Sequence, residues 1–306
     1  MLVGQAKVHY LLFVITFLSM FNPSNVLSQN RNNQKAVVRS VLDIPYVPGG
    51  GHKQQLDLFI PKEKQFPTLL LVHGGSLRTG DRKDQSEPYG EICKSFAEEG
   101  IACAAMSYRL FPTVDWPSPA QDVASAFAWL SSNISKYGGD DQNLFMLGHS
   151  SGCTLASLVA ADQKFLAEHN LTSKNIAGVL AMGCRLNYNA TARMEGKDPK
   201  LVETYFREHS WGARFGTQEA LASFRPMVHV GSHLPPILVL IAEMERFKPP
   251  ILDDAAVFVG AARDVGVNAD LVILPDRTHY SSIRLLKSKE DSTFKLIKDF
   301  IERLSQ

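Results

Sequence analysis

From Thr68 onward the chain alternates between short unbroken apolar runs and longer stretches with apolar residues at every third or fourth position. The runs are Thr68–Val72, Ala102–Met106, Leu144–Leu147, Ile176–Met182, Ile237–Ala242 and Asp270–Leu274. An apolar run without polar breaks is covered on both faces, as strands of a parallel sheet are. The intervening stretches predict helices. Tyr89 to Glu99 is stopped at Gly100. Pro119 to Lys136 carries Val123, Phe127 and Leu130 on one face and ends at Gly138-Gly139-Asp140. Cys153 to Ala161 is a small-residue helix, and Asp253 to Val265 is closed by Gly266. The last helix, 291–304, has Phe294, Ile297, Phe300, Ile301 and Leu304 on its apolar side. This alternation predicts an α/β fold with a mostly parallel sheet and helices on both faces. Upstream, Val37–Val47 and Gln55–Ile60 read as strands joined by the turn Pro48-Gly49-Gly50-Gly51. The second strand sets Leu56, Leu58 and Ile60 against Asp57 and Phe59, which predicts a half-exposed sheet edge.

Two stretches fall outside this rhythm. Lys7 and His9 precede the apolar run Tyr10–Phe21, too short for a comfortable membrane span and suited to the core of a signal peptide. Val26-Leu27-Ser28 offers small residues at a cleavage point. Residues 1–28 are therefore expected to be removed on export, leaving 29–306 as one domain in a secreted or periplasmic protein; an uncleaved N-terminal anchor is the alternative. Residues 184–233 carry Tyr188, Tyr205, Phe206, Trp211 and Phe215 among charges and glycines. Such an insertion after a strand's C-terminal end reads as a cap over a site or as a plain helical insertion packed on the sheet.

Composition narrows the function classes. The 306 residues are 45% hydrophobic and carry a formal charge of +1, which gives no basis for a nucleic-acid partner or for membrane association once the signal is removed. No P-loop or dinucleotide-binding glycine pattern is present. Cys93, Cys103, Cys153 and Cys184 form no Cys-x-x-Cys pair. Export permits disulfides, and Cys93 with Cys103 is one candidate pair, but four buried thiols acting as small apolar residues is the favoured reading. Sequons stand at Asn133, Asn170 and Asn189 and matter only in a host that glycosylates exported proteins.

The chemistry centres on Gly148-His149-Ser150-Ser151-Gly152, set between a buried strand and a small-residue helix. That is the pattern of a nucleophile elbow, with Ser150 at a sharp strand-to-helix turn; an ordinary turn with Ser150 as a helix cap is the bland alternative. A serine needs a base to take its proton and an acid to orient that base. Loops at the C-terminal ends of parallel strands converge, so base and acid are expected after later strands. His279 follows the last strand and is the candidate base. The loop after Ile237–Ala242 offers Glu243, Glu245, Asp253 and Asp254. Glu245 has the spacing expected of the acid, with Glu243 and Asp253 left open, and pairing of Glu245 with Arg246 is its structural reading. Backbone N–H groups of Ser151 and of the loop Gly74-Gly75-Ser76 are candidate oxyanion donors. His73 and His149 read as structural neighbours. An ion pair between Asp81 and Arg109 is expected behind the loop. His229 and His233 are spaced like metal ligands, but Gly231 and Pro235 argue against the helix that would join them, so no metal is expected.

Taken together, Leu56-Asp57-Leu58-Phe59-Ile60-Pro61, His73-Gly74-Gly75, Gly80-Asp81-Arg82, Ser107-Tyr108-Arg109-Leu110, Gly148–Gly152, Pro235-Pro236 and Thr278-His279 resemble the α/β-hydrolase superfamily. Within it the chain resembles the carboxylesterase/lipase branch with an His-Gly-Gly oxyanion loop, which includes bacterial feruloyl and acetyl-xylan esterases and hormone-sensitive-lipase-like esterases. The resemblance implies an α/β-hydrolase fold and a serine esterase acting through an acyl-enzyme. It implies Ser150, Glu245 and His279 as the triad, Gly75, Ser76 and Ser151 as oxyanion donors, no cofactor, and a small-molecule or carbohydrate-linked ester as substrate. The sequence departs from the family's pattern at Ser76, where a third glycine is common, and at Glu245, where aspartate is usual. The alternatives are a non-catalytic binding protein on the same scaffold and an amide hydrolase of arylformamidase type; Ser76-Leu77 lacks the aromatic of the latter.

Overall fold

The strands are set by the apolar runs. The computed structural model describes residues 38–187, 215–245 and 251–305. Its strands are β1 (Arg39–Pro45), β2 (Gln55–Ile60), β3 (Phe66–Val72), β4 (Ala102–Met106), β5 (Gly139–His149), β6 (Gly178–Met182), β7 (Ile237–Ala242) and β8 (Ala269–Leu274). They form one sheet in the order β1-β2-β4-β3-β5-β6-β7-β8. The β1–β2 and β2–β4 pairs are antiparallel and all other pairs are parallel.

Each parallel connection needs a crossover, and the helices supply it. They are α1 (Tyr89–Glu98), α2 (Ser118–Asn133), α3 (Ser151–Ala161), α4 (Gln163–Ala167), α5 (Gln218–Ser223), α6 (Ile251–Asp264), α7 (His279–Arg284) and α8 (Ser292–Leu304). They cover both faces of the sheet, as alternation along the strands shows. Leu70 and Val72 of β3 and Leu144 and Met146 of β5 join one buried cluster with α2 and α3 residues such as Phe127 and Leu155. Leu69 and Leu71, Phe145 and Leu147 join the other, with Phe96 of α1 and Phe294 and Ile297 of α8. Burying each such side chain contributes roughly 1.5–3 kcal/mol. Two covered faces explain why these strands read as continuous apolar runs. The described residues all lie within the compact unit Lys35–Gln306, and none of their helices is long and apolar enough to cross a membrane.

Two expectations about the sheet and the cysteines are corrected. The alternation in β2 does not mark a sheet edge: β2 lies between β1 and β4, and Asp57 is 5% exposed. Its carboxylate accepts a hydrogen bond from Nε of buried Arg82 at 3.0 Å, so an ionic partner, not solvent, occupies the polar side. The cysteines are also not free thiols. Cys93 of α1 joins Cys103 of β4, and Cys153 of α3 joins Cys184, just after β6. Burial reads identically in the sequence for a thiol and for half of a disulfide; only the packing of helix on strand brings the pairs together.

The predicted signal peptide, residues 1–28, lies outside the described residues, as do Tyr188, Tyr205, Phe206 and Trp211 of the aromatic insertion. Its described residues 215–233 include α5, and the aromatic side chains flanking that helix pack on Trp116, just before α2. Phe215 and Phe224 meet Trp116 at ring distances of 5.2 Å each, and the Trp116 indole donates to the Ser223 hydroxyl at 2.7 Å.

Candidate active site

The site forms where the C-terminal ends of β3, β5, β6, β7 and β8 open into loops. At the end of β5 the chain reverses sharply. Ser150 has φ 55° and ψ −126°, and α3 begins at the next residue. The two glycines around it are imposed by contact. A Cβ on Gly148 would lie 2.4 Å from Cys153 Cα, and one on Gly152 would lie 2.3 Å from the carbonyl oxygens of Val72 and His73. A side chain at Gly152 would push the elbow off β3, and one at Gly148 would push the strand end off the first turn of α3. The Ser150 N–H is fixed by the Met182 carbonyl at 2.9 Å. Such an outlier backbone holds only because the packing around it permits no other course.

At the end of β3, His73 turns inward and braces the loop that follows. Its Nδ1–H donates to the Gly74 carbonyl at 2.6 Å. Its ring stacks on Tyr108 with centroids 4.2 Å apart, and the Tyr108 hydroxyl donates to the His73 carbonyl at 3.0 Å. Burial drives the His73 imidazole down to about 4, outweighing the hydrogen bond to Gly74, so the ring is neutral at pH 7. The Gly74 N–H is taken by the Tyr89 hydroxyl at 3.3 Å. The N–H groups of Gly75 and Ser76 make no hydrogen bond among the described residues. Ser76 stands at φ 54° and Leu77 at φ 61°. Ser76 thus adopts the left-handed backbone that a glycine would adopt more easily, which accounts for glycine being common at this place.

Glu245 ends a 3-10 turn after β7 and is 5% exposed. His279 is the first residue of α7, not a loop residue as its sequence context implied. Thr278 caps that helix, its hydroxyl accepting from the Ser281 N–H at 3.1 Å. The cap fixes His279 beside Glu245. Its Nδ1–H donates to Glu245 Oε1 at 2.6 Å, leaving Nε2 without a proton in the neutral ring. His149 lies alongside, rings 4.6 Å apart, and donates from Nε2–H to the His279 carbonyl at 2.9 Å. Burial, with a smaller contribution from His279, depresses His149 to about 3. His73 and His149 therefore hold backbone, as expected, while His279 Nε2 makes no hydrogen bond among the described residues.

The other acids lie elsewhere. Glu243 accepts from the Asp276 N–H at 3.1 Å. Asp253 and Asp254 fall in the first turn of α6, and Asp254 pairs with Arg185 at 2.8 Å. Arg246 lies outside the described residues. The expected Asp81–Arg109 pair does not form. Arg109 binds Asp122 of α2 through Nε and Nη2, with the shortest contact 2.7 Å, while Asp81 pairs with Lys53 at 2.8 Å. Asp122 is buried, and the Arg109 fork together with Gln54 Nε2–H at 2.9 Å supplies the donors it needs. His229 approaches Asp162 at 3.6 Å, and His233 donates to the Ala161 carbonyl at 2.7 Å, so the two turn to different partners.

Ser150 borders two hollows. One, of about 380 Å³, is lined by Gly74, Gly75, Ser76, His149, Ser150 and His279, and by Glu87, Tyr280 and Arg284. The other, of about 250 Å³, is lined by Ser150, Ser151, Thr154, Gly183, Cys184, Arg185 and Phe224. Sequence reasoning missed Glu87, Tyr280 and Arg284. The position of Tyr280 and Arg284 just past His279 was the one available signal; nothing local marked Glu87. It also missed Gly183, whose φ of 62° and closeness to His279 Nδ1 and Glu245 Oε2, at 3.2 and 3.3 Å from a built Cβ, make it part of the same corner.

Comparison with known proteins agrees with this architecture. The BD-FAE family model matches residues 56–249, more than half of the chain. The chain is 29% identical over 203 residues to the probable carboxylic ester hydrolase LipM of Mycobacterium tuberculosis, covering 65% of this chain and 45% of LipM. It is 28% identical over 245 residues to esterase LipQ of the same organism, covering 78% of this chain and 56% of LipQ. It thus spans about half the length of these curated relatives. Among solved structures, a truncated carbohydrate esterase from gut microbiota superposes with a TM-score of 0.69 at 16% identity, covering 89% of this chain and 98% of that one. That likeness establishes the α/β-hydrolase fold.

Proposed function

The chain belongs to the BD-FAE family, and on that premise we propose that it is a carboxylic ester hydrolase working through an acyl-enzyme at Ser150. The observation that carries the reading is the Glu245–His279 hydrogen bond of 2.6 Å beside the strained elbow serine, with both Ser150 and His279 on one cleft. In the proposed reaction Ser150 Oγ attacks the ester carbonyl carbon while His279 Nε2 takes its proton. Glu245 stays ionised and stabilises the imidazolium. The carbonyl oxygen becomes an oxyanion held by the N–H groups of Gly75, Ser76 and Ser151. One such donor is worth roughly 3–4 kcal/mol in the transition state. Collapse of the tetrahedral intermediate breaks the C–O bond, and the leaving alkoxide takes the proton from His279. Water then repeats the sequence on the acyl-serine, releasing the carboxylic acid and restoring Ser150.

The proposed substrates are acetyl or feruloyl esters of carbohydrates. The carbohydrate-esterase neighbour and the family membership support this choice. A secreted or periplasmic location is part of the same proposal; two disulfides suit an oxidising compartment. The scheme uses no metal or organic cofactor. The test is Ser150→Ala against wild type on short p-nitrophenyl esters. The variant is expected to lose activity by at least about 10⁴-fold; equal hydrolysis by both proteins rules the reading out.

A further inference from the structure

The two hollows beside Ser150 differ in what they present, and the chemistry of the leaving group distinguishes them. An alkoxide leaving the tetrahedral intermediate must be protonated by the imidazolium, so the alcohol half of an ester lies on the side of Ser150 that carries His279. Only the larger hollow is lined by His279. The smaller one, walled by Thr154, Phe224 and the Cys184 end of a disulfide, is left for the acyl group.

The alcohol side is strongly polar. Arg284 of α7 donates from Nε to both oxygens of Glu87 at 3.1 Å and from Nη2 to Glu87 Oε1 at 2.7 Å. This two-point fork fixes both groups. The Arg284 side chain is nevertheless 45% exposed, and its Nη1 makes no hydrogen bond among the described residues. Asp84, whose carboxylate accepts from the Ser86 N–H and hydroxyl at 2.8 and 2.7 Å, lines the same wall. Tyr280, 57% exposed, lies edge-on to His279 with the Arg284 guanidinium 5.0 Å from its ring centre. A hydroxyl group both donates and accepts. A carboxylate and a guanidinium held side by side serve both roles, and an adjacent aromatic surface covers the C–H face of a ring. A simple aliphatic alcohol can pack on the tyrosine ring but has no further hydroxyl to meet the carboxylate and the guanidinium.

We propose that Glu87, Tyr280 and Arg284 form the alcohol subsite, and that the Glu87–Arg284 pair selects leaving alcohols that carry neighbouring hydroxyls, as a sugar does. This rests on the ester-hydrolase reading of Ser150 and names the part of the substrate that this cleft reads.

The experiment compares two acetyl esters, methyl 3-O-acetyl-xyloside and ethyl acetate, so that only the alcohol varies. For wild type, Arg284→Met, Arg284→Lys and Glu87→Gln, kcat and KM are measured for each. Wild type is expected to favour the sugar acetate. In Arg284→Met the ratio of kcat/KM between sugar acetate and ethyl acetate is expected to fall about tenfold, chiefly through KM, as for loss of a charged hydrogen bond. Arg284→Lys should regain part of the ratio. Glu87→Gln, which keeps the packing and removes the charge, should lower it. A purely structural role for the pair would lower both substrates in proportion; an unmoved ratio in Arg284→Met and Glu87→Gln overturns the proposal, as does a wild type without preference for the sugar acetate. A wild type that turns over neither ester while Ser150 still reacts with a fluorophosphonate contradicts the alcohol subsite alone. One that does neither removes the ester-hydrolase reading as well.

Discussion

Two pairs built on a buried carboxylate lie toward opposite edges of the sheet, Asp57–Arg82 beside β2 and Glu245–His279 after β7 and β8, and they differ in what they leave unsatisfied. Arg82 is closed on every side. Nε binds Asp57, Nη1 binds the His52 carbonyl at 2.9 Å and the Ser107 hydroxyl at 3.1 Å, and Nη2 binds Gln55 at 2.8 Å and also Asp43. Asp57 Oδ1 further accepts the Asp43 N–H at 2.7 Å. Every strong donor is used within the protein, so the group can hold backbone and nothing else. At the other edge His279 uses one ring nitrogen, and Glu245 Oε2 has no hydrogen-bond partner among the described residues. A buried group left partly unsatisfied carries a cost of roughly 1–3 kcal/mol. Other buried atoms, Nε2 of His73 among them, also lack a partner among the described residues, so it is the place of Glu245 beside the elbow that gives its vacancy a chemical reading. The saturated pair is read as a brace and the unsaturated one as the site of chemistry.

The sharpest way to break this contrast is to neutralise one member of each pair, the acid of one and the base of the other. Glu245→Gln removes the charge that stabilises the imidazolium and replaces one acceptor oxygen by an NH2 donor, so the tautomer is no longer enforced. It is expected to lower kcat on p-nitrophenyl acetate about 10⁴-fold while moving the urea midpoint little. Arg82→Met is expected to do the reverse. It strands Asp57 without its cation and should cost about 3–5 kcal/mol in urea unfolding, with kcat of the folded fraction retained. If Arg82→Met abolished turnover and left stability unchanged, the brace and the site would have exchanged roles.

Acid should act on the braces too. His73 and His149 are held neutral, at about 4 and about 3 against an ordinary value of 6.5. Below 6.5 the unfolded chain binds protons at these rings and the folded chain does not. Their contribution to stability is thus fully present above pH 6.5 and is lost as pH falls toward 4 and then 3. Each ring should remove ~1.4 kcal/mol of stability per pH unit in that window. Urea titrations at pH 7, 6, 5 and 4 should show the slope, and His149→Gln should flatten it. A slope identical in the variant would assign the acid sensitivity elsewhere.

The smallest effect concerns geometry alone. Gly183→Ala places a methyl group 3.2 Å from His279 Nδ1 and 3.3 Å from Glu245 Oε2, at a backbone φ of 62°. A shift of a few tenths of an ångström in the pair is expected to lower kcat about tenfold with KM little changed. Wild-type kcat in this variant would show that the corner tolerates displacement.

The contrast also separates what the sequence shows from what it hides. The parallel strands are legible because residues covered on both faces leave no polar break; Ala102–Met106 and Ile237–Ala242 coincide with β4 and β7 at both ends. β5 extends back to Gly139, which pairs with Phe66 of β3; the polar Asp140-Asp141-Gln142-Asn143 lie where the register shifts, and Asp140 accepts there from the Gln142 N–H at 2.9 Å and Asn143 Nδ2–H at 2.7 Å. Ser150, Glu245 and His279 could be named as candidates because each follows a strand end and strand ends converge. Partner choice was not legible. Whether Asp122 or Asp81 receives Arg109 depends on where α2 packs, and Glu87 and Arg284 meet across 197 positions of chain. Cys153 and Cys184, separated by 31 residues, face each other only because α3 lies over the end of β6.

Ser150 is proposed to be a nucleophile activated by the half-open pair. The most direct measurement is covalent labelling with a fluorophosphonate at neutral pH, with the modified residue mapped by mass spectrometry of the digested protein. Stoichiometric modification of Ser150 is expected in the folded wild type, slowed by orders of magnitude in His279→Ala. An unlabelled Ser150 in folded wild-type protein, or labelling equally fast without His279, would contradict it.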